Sequence, residues 1–158
     1  MAIDYLFYCD SALNPADVEA IVLAGGDFQP EPPFGGFTCL NALGVSAQMR
    51  QKHEPELTIL FGSDSIKFPV KFEIFFNISK FDILTGQSNM LKFVKKMNIK
   101  DNVSWVIFNN EDNGRPFVFS HLGKIHCYNM DMNEALGKEL LTRFGSNIDL
   151  SKKLEIIY

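Results

Sequence analysis

Few residues in this chain have types and spacing that could do chemistry, and the clearest are two histidines in "HLGKIH" (121–126). A two-residue turn at Gly123-Lys124, with Gly at its first central position, suits a type II′ hairpin. That register sets Leu122 opposite Ile125 and His121 opposite His126, with both imidazoles on one face. Two imidazoles can share a metal, but a catalytic zinc takes three protein ligands. Cys127 falls on the other face and His53 stands in a loop, so no third ligand is identified. The pair reads as ordinary histidines, with no metal and no cofactor. An alternative keeps them as acid–base groups of a small cytoplasmic hydrolase, in which His121 or His126 stands beside an acid.

Other nucleophile and phosphate patterns are incomplete. Cys9 and Cys39 sit among apolar neighbours in strand-like segments, where a buried thiol is inert packing. "FGSDS" lacks the first glycine position and the strand-turn-helix setting of a nucleophile elbow. "LAGG" and "PFGGF" lack the lysine and helix start that hold phosphate. Glu111-Asp112 is a carboxylate pair in sequence, but it lies in the polar turn "NNEDNG". No catalytic residue is assigned.

The elements that must position these residues can be read from period and punctuation. "AIDYLFYC" (2–9) is a strand. "NPADVEAIVLAGG" is a helix in which Asn14 caps, Pro15 takes the first helical position, Val18, Ile21 and Val22 form the apolar stripe, and Gly25 stops it. "DFQPEPPFGGF" (27–37), with three prolines and two glycines, is expected to be an irregular surface loop that displays Phe28, Phe34 and Phe37 around Glu31. The alternative for that loop is that it folds back and packs at least two of the three rings onto the core. Strands are expected at 38–49, 56–62 and 67–78. In the last, Phe68, Val70, Phe72, Ile74, Phe76 and Ile78 share one face, and Lys71, Glu73, Phe75 and Asn77 the other.

A helix over about 85–98 follows, with Asp82 or Thr85 as its cap. Met90, Leu91, Phe93, Val94 and Met97 face inward; Lys92, Lys95 and Lys96 face out. Residues 102–111 and the histidine hairpin supply three more strands. A last helix opens at Asp131 with Glu134 completing a capping box, carries Met132, Ala135, Leu136 and Leu140 inward, and ends at Gly145. "LEIIY" is a short edge strand. The order β-α-β-β-β-α-β-β-β-α predicts a single α+β domain over 1–158: one layer of mainly antiparallel sheet with helices packed on one face.

Composition bounds the partners. There is no run of apolar residues long enough to span a bilayer, and the start "MAIDYLFYCDS" lacks a basic leader. Three widely spaced cysteines argue for a reducing, cytoplasmic setting. The first 49 residues hold six acids (Asp4, Asp10, Asp17, Glu19, Asp27, Glu31) and no Lys or Arg, a charge of −6 that leaves the rest of this −4 chain at +2. Such a one-signed third steers a basic partner and repels nucleic acid.

Three places carry a family resemblance: the start "MAIDYLF", the strand-to-helix unit "FEIFFNISKFDILTGQSNMLKFV", with Phe81 and the Asn89-Met90 pair, and "VSWVIFNNE" ending at Glu111. In these the chain resembles the small bacterial immunity proteins encoded beside polymorphic toxins, including those exchanged by swarming myxobacteria. The resemblance implies a cytoplasmic protein without catalysis that binds one cognate toxin domain and covers its active site. Many such toxins are basic nucleases.

On that reading the partner is a protein, neither nucleic acid nor membrane, and the chain is a monomer or weak dimer. Contact residues would be Asp10, Asp27, Glu31, Glu111 and Asp112, pairing with toxin Lys or Arg, with Phe34 and Phe37 as aromatic anchors. A scaffold pairing through an exposed edge strand is a further alternative. The central stretch "KFEIFFNISKFDILTGQSNML" then reads as a structural joint. Its strand presents Glu73, Phe75 and Asn77 on a face whose cover is unknown, which would leave Phe75 an exposed aromatic.

Overall fold

The computed structural model describes residues 2–52, 56–109, 116–127, 135–145, 148–149 and 154–157. In chain order it begins β1 (Ala2–Cys9), α1 (Pro15–Leu23), β2 (Gln29–Phe34), β3 (Phe37–Ala42) and β4 (Val45–Gln51). It continues β5 (Glu56–Phe61), β6 (Asp64–Pro69), β7 (Phe72–Ser79), α2 (Ile83–Lys96) and β8 (Trp105–Asn109). It closes β9 (Pro116–His121), β10 (Lys124–Cys127), α3 (Ala135–Phe144), β11 (Ile148–Asp149) and β12 (Leu154–Ile157). No described helix is long and apolar enough to cross a membrane.

The architecture is α+β, a mainly antiparallel nine-stranded sheet in the order β11-β10-β9-β8-β1-β7-β4-β3-β2 with helices on one face. Among the described strands only the β10–β11 pair is parallel. Alternate residues of the central strands supply the helix-side core: Phe7, Ile74, Phe76, Ala47 and Met49 meet Met90, Leu91, Phe93 and Val94 of α2. At α2's first turn the helix lies tight against the β3–β4 turn and β7: a Cβ on Gly86 would strike the Gly44 carbonyl oxygen and lie 2.7 Å from Ile78 Cγ2. Asp82 stands at the N-cap without a side-chain bond, whereas Asn14 caps α1 as expected, its Oδ1 accepting from Ala16 N at 2.9 Å.

Six strands, not three, separate α1 from α2, and a second sheet in the order β12-β5-β6 forms on the face opposite the helices. It buries a separate core: Leu57, Ile59, Phe61 and Phe68 against Leu6, Tyr8, Val106, Phe108 and Phe119. The strand expected over 67–78 therefore breaks. Pro69 has no N–H to continue a ladder, so Phe68 and Val70 serve the second core while Phe72, Ile74, Phe76 and Ile78 serve the first. Alternation survives the break because both destinations are apolar. The expected strand over 38–49 is likewise a hairpin, β3 and β4, and the terminal strand pairs with β5 at the edge of the small sheet.

The stretch expected to be an irregular loop is β2, an edge strand with all six residues exposed. It joins β3 through Gly35-Gly36, both at positive φ (56° and 82°), the requirement of a type I′ hairpin. Prolines are tolerated because β2 is the outermost described strand on its side. Phe28, just before it, packs edge-on against Phe93 at 5.2 Å and is fully buried.

Smaller departures have equally local causes. Ile21 is 49% exposed, because α1 buries only Val18 and Val22. In α3, Leu140 is buried and Gly145 follows the last turn at φ 72°, as expected, but Ala135 is exposed. Asp131, Met132 and Glu134, the expected start of that helix, lie outside the described residues.

Candidate functional site

Among the described residues, the small sheet covers β1, β8 and β9 and leaves the other half of that face open, over β7, β4, β3 and β2. Strand register lays the open half out in three transverse rows. One reads Asp4, Asn77, Ser46, Asn41, Gln29; the next Leu6, Phe75, Gln48, Cys39, Glu31. In the third, Tyr8 pairs with Glu73 and Glu73 with Arg50. Phe37 stands beside Arg50, and Phe34 pairs with Phe37 at the edge.

A bulge creates the outer end of this face. Glu31 pairs with Cys39 and Phe34 with Phe37, so β2 uses one residue more than β3 between these pairs. Residues three apart in a regular strand point to opposite faces. The extra residue in Pro32-Pro33 turns Phe34 onto the same face as Glu31. Phe34 is 74% exposed. Glu31 accepts from Asn41 Nδ2 on the neighbouring strand, which holds its carboxylate over the face. Pro30 pairs with Leu40 and has no N–H, and prolines on an outer strand blunt the edge as a template for an added strand. Pairing of copies through this edge is disfavoured at that point.

The inner end is a buried ionic cluster that sequence reasoning missed. Glu73, fully buried, accepts from Arg50 Nε at 2.6 Å and Lys52 Nζ at 3.0 Å. The Arg50 guanidinium lies 4.4 Å from the Phe37 ring centroid, and Phe37 packs edge-on against Phe75 at 5.7 Å. Phe75 is therefore half-buried by Phe37 and the second core, not an isolated exposed aromatic. Burial pushes the Tyr8 phenol above its ordinary value, with Lys52 opposing. The signal for this cluster was present: Glu73 is the one charge among the apolar positions of β7, and Arg50 and Lys52 are the first cations of the chain, two residues apart.

Of the expected contact residues, the structure brings Glu31, Phe34 and Phe37 together on the open face. Asp27 lies elsewhere, on the α1–β2 loop, bonded to Lys96 of α2 at 3.0 Å; that ammonium holds its carboxyl below the ordinary range. Asp10 is turned inward at the end of β1. Its Oδ1 accepts from Ser104 N at 3.0 Å, and desolvation holds its carboxyl above the ordinary range. Glu111, Asp112 and His53 lie outside the described residues.

The histidines take a different register from the expected one. The turn is Leu122-Gly123, both at positive φ (50° and 75°), so His121 pairs with Lys124 and His126 with Phe119. A two-residue loop with positive φ at both positions matches the twist of the flanking strands. The shift preserves the faces, leaving the histidines diagonal neighbours stacked on Phe119 at 5.7 and 5.9 Å. His121 Nδ1 lies 2.8 Å from Ser104 Oγ, but Ser104 is buried and Asp10 bonds its backbone N–H rather than the imidazole. Among the described residues no three His, Cys, Asp or Glu side chains form a group that could hold a metal. The three cysteines are buried and unbridged, and burial pushes the Cys9 thiol up to about 12.

No protein-family model matches the chain, and neither a curated protein nor a solved structure matches it.

Proposed function

We propose that this protein is a cytoplasmic, non-catalytic binding module that neutralises a cognate bacterial toxin domain with a basic surface, an immunity protein. The observation that carries the reading is the bulge at Pro32-Pro33, which gathers Phe34 and Glu31 on one exposed, proline-stiffened edge. Bulges re-aim side chains at functional edges, and an exposed aromatic beside a fixed carboxylate suits an anchor for a basic protein surface. The acidic first third adds a field that speeds association with such a partner. The hydrolase alternative on His121 and His126 draws less support, because the serine beside His121 is buried and the imidazoles are stacked on Phe119.

The test is co-expression with the polypeptide encoded directly beside this chain. Wild-type protein is expected to restore growth and to co-purify with that polypeptide. Phe34→Ala combined with Glu31→Lys is expected to lose both while keeping the wild-type melting temperature, since both side chains are exposed. Full protection by the double variant would overturn the assignment of this surface. Absence of toxicity and of binding in the wild type would overturn the immunity reading itself.

A further inference from the structure

We infer that Arg50 is a preorganised receptor for a single carboxylate, an Asp or Glu side chain of the polypeptide that docks on the open face. The identity of the donor rests on the binding-module reading; the carboxylate site itself does not.

Arg50 is held from two sides. Its Nε donates to the fully buried Glu73, and its Cζ lies over the Phe37 ring, 4.4 Å from the centroid. Among the described residues neither terminal Nη group has a protein partner, and the side chain is 42% exposed. A guanidinium fixed through Nε and one face presents its two Nη groups as a fork that matches the paired oxygens of a carboxylate. Lys52 shares Glu73, so two cations meet one carboxylate and the cluster carries a surplus positive charge. Phe34 pairs with Phe37 in the same row, an apolar neighbour for the carbon chain of a docked Asp or Glu.

A buried ion cluster is a weak device for stability, since apolar residues of like volume do as well or better. Orienting Arg50 gives Glu73 a reason to be there. Carboxylate is favoured over phosphate because only one fork is offered and the chain as a whole is at −4, a field that opposes a dianion more than a monoanion. Together with Glu31, Arg50 gives the open face charges of both signs, which fix the register of a docked partner.

The experiment is an NMR titration of the full chain, following the Arg50 Nε–H and nearby amides. Sodium acetate, phosphate and chloride are compared at constant ionic strength. Acetate is expected to give a saturable shift, weakened about tenfold or more in Arg50→Lys, which keeps the charge but loses the fork. Phe37→Ala is expected to weaken it as well, with the fold retained as judged by the remaining amide spectrum. A linear response indistinguishable from chloride, equal saturation in Arg50→Lys, or tighter binding of phosphate than acetate would each overturn the proposal. None of these outcomes depends on the toxin, so loss of this site and loss of the immunity reading are separable.

Discussion

Asp10 illustrates how one residue can look like a recognition charge and serve the fold instead. It closes β1 onto the segment before β8: its N–H donates to Ser104 O at 3.1 Å and its carboxylate accepts from Ser104 N. Desolvation raises its pKa above 3.8, with the Ser104 bond opposing. An acid that titrates higher folded than unfolded binds its proton more readily when folded. Its contribution is therefore fullest below pH 3.8 and is lost as pH rises through the folded value. Asp10→Asn keeps an oxygen acceptor for Ser104 and removes the desolvated charge. The difference in unfolding free energy between the variant and wild type, from urea titrations, is expected to grow in the variant's favour from pH 3.5 to 6, by about 1 kcal/mol or less. A constant difference across that range would show that the carboxylate titrates as an ordinary one.

At the scale of elements, the joint between β7 and α2 is set by backbone contact more than by side-chain capping. Gly86 N donates to Asp82 O, Ser79 N donates to Gly44 O, and Asn89 Nδ2 donates to Leu43 O at 2.8 Å. The Asn89 bond docks α2 onto the β3–β4 turn, the Ser79 bond ties the end of β7 to the same turn, and the Gly86 bond closes α2's own first turn; Gly86 has no room for a methyl group because Gly44 backbone and Ile78 occupy it. Gly86→Ala would gain helix propensity of roughly 1 kcal/mol and lose more to overpacking, a net destabilisation of about 1–3 kcal/mol. Chemical denaturation checks the sign; a stabilised Gly86→Ala would mean that the helix can shift away from the turn.

The helices were legible in the sequence because caps and a 3.6-residue period mark them, as Asn14, Pro15 and the Met90–Met97 pattern do. The second sheet was not: Phe68 through Ile78 alternate without interruption although the chain changes layers at Pro69. The edge strand was hidden by its prolines, and Phe34 by a bulge that shifts its face by one residue. Glu31, Phe34 and Phe37 were legible as candidates by type, while the Glu73 cluster depends on pairing between distant strands.

For the whole molecule, the −6 of the first 49 residues is not a uniform field. Asp10 is spent on Ser104, Asp27 on the α1–β2 loop is matched by Lys96 of α2, and Glu31 stands over the open face. Glu31→Lys and Asp27→Lys change net charge equally, so a steering effect from total charge would slow association by the same factor in both. Steering from the local face would not, because potential falls within a Debye length of about 10 Å at 0.1 M salt. Binding to the toxin domain proposed above is expected to slow about tenfold for Glu31→Lys at about 0.1 M salt and about twofold or less for Asp27→Lys. The two variants should converge toward the wild-type association rate as salt increases, in a surface plasmon resonance series. Equal slowing by both would return the effect to net charge and remove the open face from the encounter; no slowing by either would remove electrostatic steering altogether.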